Sequence, residues 1–314
     1  MSLAPIPMTP AYRHGTMTPW GGDGLQRLFQ KPIPDARTGE CLELSAIPGL
    51  ESRDPAGETL PALVEKYGQR LTGTAISGPF PLLLKLLDAR DTLSVQVHPN
   101  DEYAARVEHK LGKTEAWHIL YAAPGAELVY GVKAGITKEE LTQASLSGAA
   151  VEGLLRRVQV KAGETYYIPA GMVHAIGAGI VLYEIQQSSD VTYRFYDWER
   201  TDKNGNKREL HIQKAIDVTD LNAQLPAAAE KELAPGRYQL LREKYFTLER
   251  FSGFEGTLAA DARRFAILTA IEPAMLTWAE GTLNLPAGAT ALLPADGFDL
   301  KIAGNYVLLS YPTV

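Results

Sequence analysis

Polar and apolar residues alternate along much of this chain with the two-residue period of a half-buried strand. In Leu93-Ser94-Val95-Gln96-Val97-His98, the apolar Leu93, Val95 and Val97 share one face and Ser94, Gln96 and His98 share the other. From Pro79 onward such runs recur between Gly, Pro and Asp punctuation, at Leu93 to His98, Ala116 to Tyr121, Val158 to Val160, Thr165 to Ile168, Ile180 to Gln186 and Val191 to Tyr196. Short strands at this spacing predict a β-sandwich or barrel. Two segments break the pattern. Thr59 to Arg70 reads as a helix, and Thr137 followed three residues later by Glu140 resembles a capping box that opens one or two inserted helices reaching Arg157.

An Ala, Glu and Pro-rich stretch from Pro226 to Pro235 predicts a linker, after which strand-like patterning resumes to Val314. The expected division is therefore a first domain over 1–225, carrying the helical insertions, and a second over 236–314. Val158 to Ala170 can be laid over Leu283 to Ala295 so that Gly163 and Pro169 fall on Gly288 and Pro294. Shared turn chemistry or a duplicated domain would each produce this match, and either makes both halves β. The halves differ where His174 corresponds to Asp299, which puts the chemistry in the first half.

Composition narrows the function classes. With 314 residues, 45% apolar and 22% charged, the chain can bury a core and matches neither a disordered nor a membrane protein. No run approaches about eighteen uninterrupted apolar residues, and no basic segment followed by an apolar one opens the chain, so a cytoplasmic location is the default. The single cysteine, Cys41, excludes an internal disulfide framework and a thiolate metal cluster, leaving histidine, carboxylate and amide as metal ligands. A net charge of −6 disfavours a nucleic-acid partner, and an anionic substrate would need a local basic pocket.

Taken alone, the polar face of 93–98 reads as a solvated strand face. Two further segments change that. Alternation in Gly112 to His118 aligns Lys113, Glu115 and Trp117, and in Gly163 to His174 a glycine, a proline six residues later and a tight turn deliver a histidine to a strand start. The spacing of Gly163, Pro169, Gly171 and His174 resembles the second motif of the cupin superfamily, whose histidine is a metal ligand in a small β-barrel; Ala178 stands where that motif often has asparagine. The first cupin motif usually supplies two histidines and a glutamate, whereas this chain has Gln96, His98 and, after a longer gap, Glu115. Gln96-x-His98-Pro99-Asn100, Lys113-x-Glu115, Pro169-x-Gly171-x-x-His174 and Glu184 ten residues before Arg194 together resemble the type I mannose-6-phosphate isomerases in their short bacterial form. The resemblance runs from about Pro79 to Lys214, with further matching wording in Asp190 to Arg194, Arg208 to Ala215 and Trp20-Gly21-Gly22.

That resemblance implies a mainly β fold, a cupin-type double-stranded β-helix (jelly-roll) barrel with helical insertions, to which the internal match adds a second, C-terminal cupin-like β domain lacking metal ligands. It implies interconversion of mannose 6-phosphate and fructose 6-phosphate through an enediol(ate), with one divalent metal on His98, Glu115 and His174 and the amide oxygen of Gln96 as a weaker ligand. Nitrogen and oxygen ligands without thiolate suit Zn2+ first, and also iron, manganese or cobalt. Arg194 is the expected stabiliser of the enediolate, because its guanidinium stays protonated. The proton-transfer base is open among Glu184, Lys113 and a hydroxide on the metal.

Ser94, Lys113 and Arg200 are the expected phosphate donors, and a phosphate or electrostatic role for Lys113 is favoured over that of base. His14, His109, His118 and His211 are expected to be structural or on the surface, as are Asp197, Trp198 and Glu199 as structural residues. Arg156, Arg157, Lys203, Lys207 and Arg208 are expected to be solvated. The expected partner is a small phosphosugar, with no nucleic acid and no membrane, and the chain a monomer or small homo-oligomer. Two rival classes are a non-catalytic sugar-binding cupin and a metal-dependent oxygenase. Lys113, Glu184 and Arg194 beside the metal set argue against the first, and Gln96 with the phosphate donors argues against the second.

Overall fold

The computed structural model describes residues 2–201, 204–223 and 225–314; Lys203, expected at the surface, lies outside them. Its strands form four antiparallel sheets. A six-stranded sheet runs in the order Ala11–His14, Thr38–Leu44, Leu82–Ala89, Ile180–Gln187, Glu115–Ala122, Thr165–Ile168. A five-stranded sheet runs Tyr193–Tyr196, Val95–Val97, His174–Ile176, Glu127–Val132, Leu155–Gln159. Their inner faces meet in one core, where Leu87, Trp117, Ile119 and Leu182 from the first sheet pack with Leu128, Tyr130 and Ile176 from the second. Strand alternation makes this possible, since each strand gives every second side chain to the interior.

The polar side of 93–98 is therefore not solvated. Val95 and Val97 point outward into a separate core with Val151, Ala215 and Ile216, and the polar residues point into the barrel. That outer core is supplied by the helix Lys138–Leu146, the 3-10 turn Gly148–Leu154 and the helix Ile212–Val218. The first of these opens on the expected capping box, Thr137 accepting from the Glu140 amide at 3.1 Å and Glu140 accepting from the Thr137 amide at 2.9 Å. The helix expected over 59–70 is observed as Leu60–Tyr67, capped by Thr59 and ended by Gly68, with a short turn of helix Gln69–Thr72 after it. A helix that the patterning did not announce, Asp101–Val107, starts at Asn100, whose side chain accepts from the Tyr103 amide at 2.9 Å.

The C-terminal region builds two more sheets. Seven strands run Ile6–Met8, Thr290–Leu293, Ala266–Ala270, Val307–Pro312, Phe246–Phe251, Arg237–Arg242, Lys231–Ala234, and four run Phe254–Leu258, Leu300–Gly304, Ala274–Trp278, Gly281–Leu285. They enclose their own core of Leu268, Leu276, Leu285, Ile302 and Leu309. Residues 231–234, within the stretch read as a linker, are instead an edge strand; all four are exposed, which is why their sequence carries no strand pattern.

The outer face of the six-stranded sheet is covered by the seven-stranded one. Leu84, Leu86, Tyr183 and Ile185 pack there against Phe246, Leu248, Ile267 and Leu308. Polar contacts cross the same junction: Tyr183 Oη lies 2.7 Å from Ser310 Oγ, and His118 is held between Thr165 and the Tyr306 hydroxyl. Strands that present Glu115 and Glu184 inward are thus clamped from behind.

Candidate metal centre and active site

Two rows of side chains face each other inside the barrel. In the five-stranded sheet Gln96 has His174 directly opposite on one neighbouring strand and Arg194 on the other. In the six-stranded sheet Glu184 has Lys85 on one side and Trp117 on the other, and Gln186 pairs with Glu115. Register alone brings these residues, spread from 85 to 194, onto the facing inner surfaces.

His98, Glu115 and His174 each offer one ligand atom, all lying within 4.8 Å of one another. All three side chains are buried. The Nδ1 of His98 lies 2.9 Å from the Val191 carbonyl and that of His174 lies 2.8 Å from the Met172 carbonyl. A carbonyl only accepts, so each Nδ1 carries the proton and each Nε2 presents a lone pair to the centre. Those Nε2 atoms lie 3.5 and 3.3 Å from the two Glu115 oxygens. The Gln96 amide is 3.3 Å from His174 Nε2, and rotation about its last side-chain bond exchanges nitrogen for oxygen there.

The turn that delivers His174 depends on Gly171. Its φ of +90° excludes most side chains, and its amide donates to the His98 carbonyl at 2.9 Å, fixing one histidine relative to the other.

The cluster fits a cation. Both oxygens of Glu115 are buried, and among the described residues only the Lys113 ammonium stands as a donor beside them. Converging acceptors without donors are costly unless a positive charge sits among them. The Lys113 ammonium already does so, 2.9 Å from His98 Nε2 and, as an ion pair, 2.8 Å from Glu115 Oε2. Burial first, then Lys113, holds His98 well below the usual imidazole range, and burial brings His174 down to about 3. Both rings are neutral, the form in which imidazole binds a metal. Burial pushes Glu115 up against the pull of Lys113.

Beside this centre runs a ladder of charges. Glu184 accepts from Trp117 Nε1 at 2.9 Å and pairs with Lys85 at 3.0 Å; Lys85 also lies 3.4 Å from Glu40, and Glu40 lies 3.3 Å from Arg13. Burial pushes Glu184 up, but the ammonium groups of Lys85 and then Lys113 outweigh it and hold the carboxyl at about 2. Lys85, Glu40 and Arg13 escape the sequence reading. One signal was present: Lys85 is the only charge in Leu82-Leu83-Leu84-Lys85-Leu86-Leu87, and a lysine inside a buried strand must be paired.

A cavity of about 250 Å³ opens between the rows. Trp20, Ser94, Gln96, Lys113, Glu184 and Arg194 line it, and the Arg194 Nε has no hydrogen-bond partner among the described residues. Trp20 reaches the wall because Gly21 and Gly39 pack backbone to backbone, a Cβ on Gly21 falling 2.4 Å from Gly39 N. Ser94 is buried, with its Oγ 3.4 Å from Gln96 Oε1.

Three expectations change. Arg200 does not line the cavity; it donates to the Thr92 carbonyl at 2.7 Å and pairs with Asp197. The chain reverses at Trp198 and Glu199, both with positive φ, and carries Arg200 outward. Arg208, expected to be solvated, lines the cavity instead. Lys113 lies among the ligand atoms rather than apart from them. Of the other histidines, His14 pairs with exposed Asp35, His211 accepts from the Arg194 amide, and His118 is buried at the sheet junction.

A second cavity, about 340 Å³, lies in the C-terminal region beside Arg237, Arg264 and Tyr311. Its charges are already paired, Arg264 with Asp261 at 2.8 Å and Arg237 with Glu249 behind the wall at 2.7 Å, and no histidine lines it.

The family model described as phosphomannose isomerase type I, catalytic domain, matches residues 17–117, which include Trp20, Lys85, Gln96, His98 and Glu115. The mannose-6-phosphate isomerase of Streptococcus mutans is 47% identical over 203 residues, 63% of either chain. The mannose-6-phosphate isomerase ManA of Bacillus subtilis is 45% identical over 226 residues, 70% of either chain. Among solved structures, a mannose 6-phosphate isomerase from Bacillus subtilis superposes with a TM-score of 0.90 at 36% identity, covering 98% of this chain and 99% of that one.

Proposed function

Because the chain belongs to the type I mannose-6-phosphate isomerases, a family of cupin fold, we propose that it interconverts mannose 6-phosphate and fructose 6-phosphate at the cavity between the two inner rows. The observation that carries this reading is the convergence of two buried imidazoles and a carboxylate beside a guanidinium whose Nε has no hydrogen-bond partner among the described residues, and beside a buried lysine–glutamate pair. Binding a sugar would not require that combination, and an oxygenase would have no use for the Arg194 and Lys85 charges.

His98, Glu115 and His174 would hold one divalent metal, with Gln96 as a further ligand, and their nitrogen and oxygen atoms favour Zn2+. When bound, the metal polarises the substrate oxygens next to the carbons that exchange a proton. Lys113 supplies positive charge at the same place. Arg194 donates to the oxygen that becomes negative as the enediolate forms. Glu184 lines the cavity and can take a proton there, and the Lys85 ammonium, 3.0 Å away, can return one. We assign proton transfer to this pair.

Residues 236–314 are read as a cupin-like unit without metal ligands that backs the catalytic sheet. No helix among the described residues is long and apolar enough to cross a membrane, and a cytoplasmic location is part of the proposal. The direct test incubates the purified protein with mannose 6-phosphate and assays fructose 6-phosphate through a coupled reaction, while following dissolved oxygen. Conversion without oxygen uptake is expected; binding without conversion, or oxygen uptake, would replace this reading with one of its rivals.

A further inference from the structure

Arg194 lies on the edge strand of the five-stranded sheet, Tyr193–Tyr196, and the pairing of that strand with Val95–Val97 slips between Arg194 and Tyr196. An edge strand has no neighbour for its outward amides and carbonyls, and a bulge loosens the ladder where it occurs. Both conditions meet at Arg194, yet its backbone is paired. The His211 amide donates to the Arg194 carbonyl at 2.9 Å, and the Arg194 amide donates to Nδ1 of the His211 ring at 3.3 Å. One residue thus takes the place of a missing strand. Resting on the role given to Arg194 under the isomerase reading, we infer that His211 is a positioning residue, which aims the Arg194 guanidinium into the cavity by bonding both backbone groups of that residue.

His211 is itself anchored. Its carbonyl accepts from the Ala215 amide at 2.9 Å at the start of the helix Ile212–Val218, and Ala215 and Ile216 of that helix are buried with Val95 and Val97. The strand that carries Gln96 and the helix that follows His211 therefore share a core, and Arg194 is tied to both. A long side chain magnifies any tilt of the backbone that bears it, and a misplacement of about 1 Å in a catalytic group can cost about 10²-fold in rate.

The second bond also fixes the ring's protonation. An amide nitrogen only donates, so Nδ1 carries the lone pair and the proton of the neutral ring sits on Nε2. A further proton would go to Nδ1, set donor against donor and release the Arg194 amide. Arg194, Lys214 and Lys110 bring positive charge toward the ring, and Glu108, Glu209 and Asp190 bring negative charge, with the Tyr193 ring packed beside it. Two of these acids are engaged, Glu108 by Lys214 and by the Tyr193 hydroxyl, each at 2.8 Å, and Asp190 by Lys110 at 2.6 Å. Burial first, then Arg194, holds His211 below the usual imidazole range. With the folded value lowered, the bond is intact above that value and is lost as pH falls through it.

The test compares wild type with His211→Asn, whose side-chain oxygen can accept where Nδ1 does but cannot titrate, and with His211→Leu, which offers no acceptor. Each is assayed with saturating Zn2+ for kcat, KM and bound metal, and the Arg194 amide is followed by nitrogen-15 NMR as pH is lowered. His211→Leu should lower kcat by about tenfold, the scale of one lost hydrogen bond, with KM and bound metal nearly unchanged, and asparagine should recover most of that loss. As pH falls below about 6.5, kcat of wild type should fall relative to His211→Asn, and the Arg194 amide signal should move in wild type alone. In an Arg194→Ala background, His211→Leu should cost no further kcat, because its effect passes through the arginine. A folded leucine variant with near-normal kcat, a ratio of wild type to asparagine variant that stays constant with pH, or an undiminished loss on top of Arg194→Ala would overturn the positioning role. If the leucine variant does not fold, the asparagine comparison and the amide titration decide. An Arg194 amide that titrates in a wild type converting no mannose 6-phosphate would leave the coupling of His211 to Arg194 standing and remove the isomerase reading, so the two fail separately.

Discussion

Lys85 Nζ lies 3.0 Å from Glu184 Oε1, and the two residues sit directly opposite each other on neighbouring strands inside the barrel. Both side chains are buried. Lys85→Met should therefore abolish most turnover, by about 10²–10⁴-fold for a lost proton-transfer partner. It should also lower stability by about 3–5 kcal/mol, the cost of leaving one member of a buried pair alone. Glu184→Gln keeps the hydrogen-bonding shape and should lose turnover with a smaller stability change. Steady-state kinetics and urea denaturation of both variants check this; near-normal turnover in either removes the pair from proton transfer.

Metal retention and turnover should separate cleanly between two other positions. His98→Ala should lose both bound metal and activity, because it removes one of three converging ligands. Arg194→Ala should keep its metal and lose about 10²–10³-fold in kcat, as expected for a donor to a developing oxyanion. Elemental analysis beside kinetics decides. An Arg194 variant with near-normal kcat would contradict the role given to it.

The acid dependence of stability should report on His118. Buried between Thr165 and Tyr306, it is held by burial down at about 3, well below the value it regains on unfolding. The folded state thus binds fewer protons than the unfolded one between about 6.5 and about 3, and the stability this group contributes is present above the upper value and lost as pH falls toward the lower. Relative to His118→Gln, wild type should lose about 2 kcal/mol between pH 7 and pH 5, from about 1.4 kcal/mol per pH unit below the imidazole range. Urea midpoints of the two proteins at both pH values measure it. A difference that stays constant with pH would show that His118 is not buried as a neutral ring.

The junction between the sheets should also be fragile to truncation. Phe246 is fully buried there, packing with the outer face of the catalytic sheet, and Phe246→Ala should cost about 3–5 kcal/mol. Denaturant unfolding measures this; a loss under about 1 kcal/mol would mean that the cavity collapses freely.

What could be read in the sequence follows from what each residue's neighbours require. That His98, Glu115 and His174 belong together was readable through the family-like wording around them, and the turn that delivers His174 was readable from local chemistry, Gly171 with its φ of +90° above all. Alternation also showed that Ser94, Gln96 and His98 share a face, but it reads alike for a face turned to solvent and one turned into a polar barrel. Lys85 was hidden by the leucines around it, which announce burial without saying what a buried lysine meets. Arg200 and Arg208 exchanged places because the reversal at Trp198 and Glu199 occurs at residues that do not signal positive φ. The strand Lys231–Ala234 was illegible because pairing at an exposed edge needs no apolar pattern.

The most direct test of the account strips the protein of metal with a chelator and returns Zn2+ in steps, following conversion of mannose 6-phosphate to fructose 6-phosphate. The account predicts that turnover disappears with the metal and returns in full at one equivalent per chain in wild type, but not in His98→Ala. Undiminished turnover in the metal-free protein, or recovery by the His98 variant at the same equivalent, would contradict it.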